Sequence, residues 1–210
     1  THHSVWWDEG ISVWLARMPL LEGIRWTAGD VHPPLYYVIL RLWYQVAGEG
    51  VFVMRYPSVL ASVLTVALIT RLGYHLQADE RGRFLPDVGL LAAGFLSISR
   101  FSIRWAQEIR MYALAAMWAT ASLSSAVGLW KRKGWRAWMT YVATTTAGLF
   151  TLYLNATVLA VTNLGFGILW LKDRDRRRTR QWVAAQAVIL AILLPWLRYA
   201  LPRMHSWSSD

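Results

Sequence analysis

The stretch AWMTYVATTTAGLFTLYLNATVLAVTNLGFGILWL, residues 137–171, runs for 35 residues without a charged side chain. As one helix it would measure about 52 Å at 1.5 Å per residue, against a hydrocarbon core of ~30 Å. It would also put the basic segments KRKGWR (131–136) and KDRDRRRTR (172–180) on opposite faces of a bilayer. Two short passes turning near LYLNAT (152–157) put both on one side, as the positive-inside rule asks. The two-pass reading therefore sets the architecture.

The rest of the chain agrees in character. It is 56% hydrophobic and 16% charged, with 14 Trp, no Cys and a net charge of +10. Met111–Trp130 gives a further 20 uncharged residues, long enough to span. A soluble domain carries more charge and breaks its apolar runs more often. The excess of positive charge falls in short clusters between apolar runs, which suits topology determinants rather than nucleic acid. Absent Cys excludes disulfides and thiolate metal sites. The expected fold is an all-α polytopic membrane bundle of about six spanning helices, near 54–76, 88–105, 110–130, 137–152, 155–171 and 182–200. The loop QADERGRFLPD (77–87) shares the side of the basic loops, although its own acids balance its bases.

The segment HPPLYYVILRLWYQVAG (32–48) is apolar but short: from Pro34 it extends only about 21 Å. Tyr36, Ile39, Leu40, Trp43 and Ala47 share one face, and Tyr37, Arg41, Tyr44, Gln45 and Gly48 the other, which predicts a helix lying in the interface. A second interfacial helix is predicted over 8–18, with Ile11, Trp14, Leu15 and Met18 as its apolar stripe. If 34–48 does not cross, Asp8, Glu9, Asp30 and His32 share a face with Arg55, Arg104, Glu108 and Arg110. The chain then divides into an external loop with juxtamembrane helices (1–53), a transmembrane bundle (54–201) and the start of a truncated external loop (202–210).

Each of these charges also has an ordinary explanation. Asp8 and Glu9, in VWWDEGISVWLAR (5–17), suit the positive end of a helix dipole. The arginines can snorkel to headgroups, and the Pro pair after His32 starts a helix. Glu108 is harder to dismiss, because acids beside spanning segments need a partner or a task.

Taken together and in order, WWDEGISVWLAR, DVHPPLYYVILRLW, MRYPSVLASV and WAQEIRMYAL resemble the polyprenyl-phosphate-dependent glycosyltransferases of the GT-C superfamily. The resemblance is strongest to the branch of protein O-mannosyltransferases and lipid A aminoarabinose transferases. It implies an integral plasma-membrane enzyme that moves a sugar from a polyprenyl-phosphate donor to a lipid, glycan or protein hydroxyl on the extracytoplasmic face, inverting the anomeric carbon. Asp8 and Glu9 match the family's Asp-Glu pair, with the Asp as base. Glu108 matches the acid of the second external loop, and His32, Arg55 and Arg110 match positions near the donor phosphate. Departures exist: the aminoarabinose transferases carry Lys at the position of His32, and many relatives carry His at that of Asn155. Family members begin with a spanning helix before the Asp-Glu loop, so the chain is expected to be a fragment, inactive alone. No metal-ligand spacing is diagnostic, although a divalent metal near His32 and the acids is compatible.

The chemistry agrees with the resemblance. A sugar leaving a lipid phosphate needs a base for the acceptor proton and cations for the departing phosphate. A transporter or flippase is the alternative, but it would line a mid-membrane path and often shows inverted repeats, neither of which is visible here.

Overall fold

The computed structural model describes residues 6–77, 87–132 and 134–204, and these are helical without a strand. Parts of the expected loops 1–53, 77–87 and 202–210 (residues 1–5, 78–86 and 205–210) therefore lie outside the described residues, as does Lys133. Three short helices come first: α1 (Trp7–Arg17), α2 (Leu20–Thr27) and α3 (Leu35–Ala47). They are followed by α4 (Val51–Gln77), α5 (Asp87–Ile98), α6 (Arg100–Ala106), α7 (Tyr112–Arg132) and α8 (Trp135–Thr151). A 3-10 turn, Tyr153–Asn155, leads into α9 (Ala156–Lys172), and α10 (Arg176–Met204) ends the bundle.

The expected helical membrane bundle is present, but the span count changes. Four segments are long and apolar enough to cross: Val51–Leu76, Tyr112–Lys131, Tyr153–Lys172 and Arg176–Met204. The expected span 88–105 is divided. Ser99 adopts an extended conformation (φ −65°, ψ 120°) and its hydroxyl accepts from the Ser102 N–H, so the chain stops one helix and caps another there. At 17 residues, α8 is about 26 Å long and falls short of the core thickness. The turn at LYLNAT lies where the charge argument places it, since Leu152 is extended between α8 and the 3-10 turn.

The short helices pack differently from their apolar stripes. In α1 the buried residues are Glu9, Ser12, Leu15 and Ala16, while Trp14 is exposed and packs edge-on against Trp26 of α2. Two short helices were expected before the first span and there are three, because Pro19 starts α2 after the chain turns at Met18. In α3 the buried residues are Tyr36, Tyr37 and Leu40, so Tyr37, expected on the polar face, points inward.

Of the four long spans, α7 is the most enclosed, with 44% of its apolar window buried. Ala113, Ala115, Ala121, Ser122 and Ser124 are buried along it, and small side chains are what let neighbouring helices approach without a strong hydrophobic drive. The Ser122 and Thr145 hydroxyls meet at 2.7 Å across α7 and α8. Between α4 and α5 the approach is closer still: a Cβ at Gly73 would lie 2.4 Å from the Gly89 Cα, which glycine alone permits. Outward-facing Leu64, Leu90, Phe95, Leu164 and Ile168 are exposed, an apolar surface suited to lipid.

The two ends of the bundle are distinct. At one, Arg178 lies over the Trp130 ring at 4.9 Å, Trp138 donates to the Gln181 carbonyl at 3.0 Å, and Lys131 donates to the His75 carbonyl. The basic segments 131–136 and 172–180 thus share an end, as expected. At the other, Asn155 donates to the carbonyls of Gly148 and Ala115, and Trp196 donates to the Tyr153 hydroxyl at 2.8 Å.

Pro57 interrupts α4 and has no N–H for the carbonyl of Val53. Trp43 of α3 supplies the missing donor, its indole N–H reaching that oxygen at 2.8 Å. Trp43→Phe is expected to cost about 1–3 kcal/mol by stranding the carbonyl. The loss should shrink in a Pro57→Ala background, where the backbone N–H returns. Thermal unfolding of the four proteins measures the coupling, and additive losses would show that Trp43 acts by packing alone.

Candidate active site

The first turn of α1 carries two adjacent acids, and helical geometry separates them by about 100°. The separation decides their surroundings. Glu9 has no exposed surface, whereas the Asp8 side chain is 40% exposed.

Glu9 is held from two directions. Arg55, in the first turns of α4, donates Nε to Oε1 at 3.1 Å and Nη2 to Oε2 at 2.9 Å. The Ile109 N–H also donates to Oε1, at 2.9 Å. A guanidinium fork and a backbone amide together satisfy a carboxylate that burial would otherwise destabilise. Ser58, one turn after Arg55, donates to the Glu108 carbonyl at 2.8 Å. Segment 107–111 is therefore fixed both to α1 and to α4.

Arg110 continues this loop and is buried. It donates to the Asp8 carbonyl at 3.3 Å, lies 3.8 Å from Asp8 Oδ2 and sits over the Tyr112 ring at 5.6 Å. Burial works against its charge, but the hydrogen bond with Tyr112 and the nearby tyrosines and Asp8 outweigh burial and raise its pKa. Tyr37 faces the same guanidinium. Burial pushes its hydroxyl far above the usual tyrosine range despite the opposing pull of Arg110, so it stays neutral.

His32 Nδ1 donates to Asp30 Oδ2 at 2.9 Å, with both side chains mostly enclosed. Burial tends to raise the Asp30 pKa, yet the His32 hydrogen bond and charge, with help from the Val31 amide and Arg110, leave it below the usual carboxylate range. Asp30 thus stays an anion facing Arg110.

Beside these groups opens a cleft of about 550 Å³, lined by Trp6, Glu9, Arg55, Arg100, Ile103, Arg104, Gln107 and Glu108. Arg104 Nε lies 3.3 Å from Glu108 Oε1. Glu108 Oε2 is buried without a hydrogen-bond partner among the described residues. A second recess, about 560 Å³ and almost wholly apolar, lies between α3, α8 and α10; it begins at Pro34, two residues from His32, and includes Val38, Val142, Phe150 and Ile192.

All six expected site residues, Asp8, Glu9, His32, Arg55, Glu108 and Arg110, fall at one end of the bundle, the end away from the basic loops. The short α3 does not separate them. They form two neighbouring groups: Glu9, Arg55 and Glu108 on the polar cleft, and Asp8, Arg110 and His32 around Asp30 and Tyr37. Arg100 was missed, because it was read as part of a continuous span. Its spacing of four from Arg104, and of eight from Glu108, could have flagged one helical face. Among the described residues no set of three His, Asp or Glu lies close enough to hold a metal ion.

A helical membrane bundle with an acid- and arginine-lined cleft at one end is the setting of a membrane glycosyltransferase. The family model for dolichyl-phosphate-mannose-protein mannosyltransferases matches residues 31–199, and the chain belongs to that family. The match includes His32, Arg55, Glu108 and Arg110 and begins after Asp8 and Glu9, which are tied to it by the Glu9–Arg55 and Glu9–Ile109 contacts. Comparisons with curated proteins and with solved structures gave no match.

The Glu9–Arg55 pair should govern stability at this end. Glu9→Ala is expected to lower stability by about 3 kcal/mol, the low end for a buried pair because Arg55 retains some solvent. The Arg55→Ala, Glu9→Ala double variant should lose less than the sum of the singles. Thermal unfolding in detergent measures both, and additivity would mean that the pair contributes no coupling.

Proposed function

We propose that the protein transfers a sugar from a polyprenyl phosphate to an acceptor hydroxyl, with Asp8 as the general base and inversion at the anomeric carbon. The observation carrying this reading is the unequal burial of the acid pair. Glu9 is sequestered by Arg55 and the Ile109 amide, while Asp8 is open to solvent beside Arg110. A proton acceptor must reach its substrate, and Asp8 has the exposure to do so.

Arg110 and His32 then take the donor phosphate. Arg110 is buried, its Nε has no hydrogen-bond partner among the described residues, and a guanidinium suits phosphate oxygens through paired donors. The apolar recess starting at Pro34 is suited to the isoprenoid chain, whose phosphate would then lie near His32. The phosphate leaves as a stable anion, so cations suffice at the leaving group and no second carboxylate need protonate it. Arg55 commits two of its three nitrogens to Glu9 and serves mainly to position α1. Glu108, with one oxygen unpaired at the cleft, can accept a hydrogen bond from a substrate hydroxyl. The mannosyl donor named in the family description is the first to test, with a glycan or protein as acceptor.

Asp8→Asn separates base from a charge at the helix start: Asp8 lies in the first turn of α1, whose N-cap is Trp6, and Asn keeps its size while removing the carboxylate. A base predicts a fall in turnover of ~10²-fold or more with thermal stability retained. Near-normal turnover, or loss in Glu9→Gln alone, would reduce Asp8 to a favourable charge in the first turn of α1. The assay is transfer of labelled sugar from the polyprenyl phosphate by the protein in membranes.

The same reading places the cleft on the extracytoplasmic face of the plasma membrane. Native Cys is absent, so single cysteines at the exposed positions Val31 and Arg176 report topology directly. An impermeant thiol reagent applied outside intact cells is expected to label position 31 and spare 176. Labelling of both from one side would overturn the assignment.

A further inference from the structure

The end of the bundle away from the carboxylate cleft contains a polar cavity of about 460 Å³ between α4, α7 and α8. Arg71 and His75 reach it from α4, Ser124 and Ser125 from α7, and Arg136 from the first turn of α8. Arg71 and His75 are one turn apart on α4, Arg136, Thr140 and Thr144 are successive turns of α8, and Ser124 and Ser125 are adjacent on α7, so each helix turns polar groups toward the same space. Among the described residues no carboxylate lines the cavity.

Several arginines outside this cavity have carboxylate partners. Arg55 is paired with Glu9, Arg104 with Glu108, and Arg178 with Asp173 and Asp175. Among the described residues no carboxylate pairs with Arg71 or Arg136; Arg71 Nε lies 3.4 Å from His75 Nε2, and Arg136 sits over the Trp135 ring at 5.8 Å. Lys131 adds a further cation nearby, donating to the His75 carbonyl. Helix α8 opens beside the cavity at Gly134 with no side-chain cap, so its first amides reinforce the positive potential. A helix-lined space with two guanidinium groups, hydroxyls and, among the described residues, no acid is complementary to an oxyanion. At the end of a spanning bundle that carries its basic loops, phosphate is the anion at hand.

We propose that this cavity binds a phosphate group between Arg71 and Arg136, as the headgroup of an anionic membrane lipid that joins α4 to α8. A soluble phosphate shares the chemistry, and the test separates the two sources. The protein is placed in phosphatidylcholine nanodiscs with and without phosphatidylglycerol, and in phosphatidylcholine nanodiscs with inorganic phosphate, and Tm is measured in each.

Phosphatidylglycerol is expected to raise Tm by about 3–6 °C once it exceeds its Kd about tenfold. The Arg71→Gln, Arg136→Gln double variant should lose most of that gain. Arg176→Gln, Arg177→Gln, which removes the same charge from the neighbouring basic loop, should keep it. Both double variants alter exposed side chains, so both are expected to fold. A gain reproduced by inorganic phosphate alone, and abolished by the Arg71 and Arg136 changes, assigns the cavity to a soluble phosphate. The proposal is overturned if neither addition raises Tm, if the Arg71 and Arg136 variant keeps the gain, or if both variants lose it equally, which would indicate diffuse surface charge.

Discussion

A carboxylate with no exposed surface needs hydrogen bonds in place of its water, and at Glu9 three supply them. The donors are Arg55 of α4 and Ile109 of the loop before α7, which follow Glu9 by 46 and 100 residues. The interaction therefore acts as a clamp between three parts of the chain. It also sets the rotation of α1. With Glu9 turned inward, Asp8 is carried about 100° around the helix to the partly exposed side, where Arg110 reaches its carbonyl. Two chemically similar neighbours acquire different environments from one helical step. The Glu9 carboxylate is consumed in structure, while Asp8 keeps the exposure that the proposed base requires.

The bundle was legible in the sequence wherever one-dimensional information suffices. Length without charge marks α4, α7, α9 and α10, and the two basic segments fix where the chain must turn back, at Leu152. The break at Ser99 was not legible, because apolar residues resume past Arg100 at Phe101 and Ile103, and a serine hydroxyl reaching the Ser102 amide marks the new start. The inward face of α1 was misread for a related reason. Of its polar members, Glu9 is partnered by distant Arg55 and Ile109 and Ser12 donates to the Asp8 carbonyl within the helix, and periodicity of apolar residues is blind to both. Tyr37 follows the same rule, turning inward toward Arg110 from the face that composition marks as wet. Which charges gather at one end was accessible through span parity. Which acid binds which arginine was not, since that depends on helix rotation.

The irregular backbone near the cleft follows from a constraint that the bilayer imposes. Carbonyls released by a helix break have no water to turn to in hydrocarbon, so each break needs its own donor. Trp43 supplies one for Val53 below Pro57, and Ser58 reaches the carbonyl of Glu108 in the loop between α6 and α7. Asn155 does the same where α8 gives way to α9, donating to Gly148 and Ala115; a Cβ at Gly148 would lie 3.0 Å from its amide nitrogen, so the glycine and the asparagine are fitted to each other. These repairs use side chains at fixed positions, and they hold the loop between α6 and α7 and the turn after α8 more firmly than connections of that length would hold themselves. A catalytic group must be kept within a fraction of an ångström of its productive position, which flexible loops do poorly. The polar bonds that solve the solvation problem of the broken helices thus also stiffen the end of the bundle where the carboxylates and arginines meet.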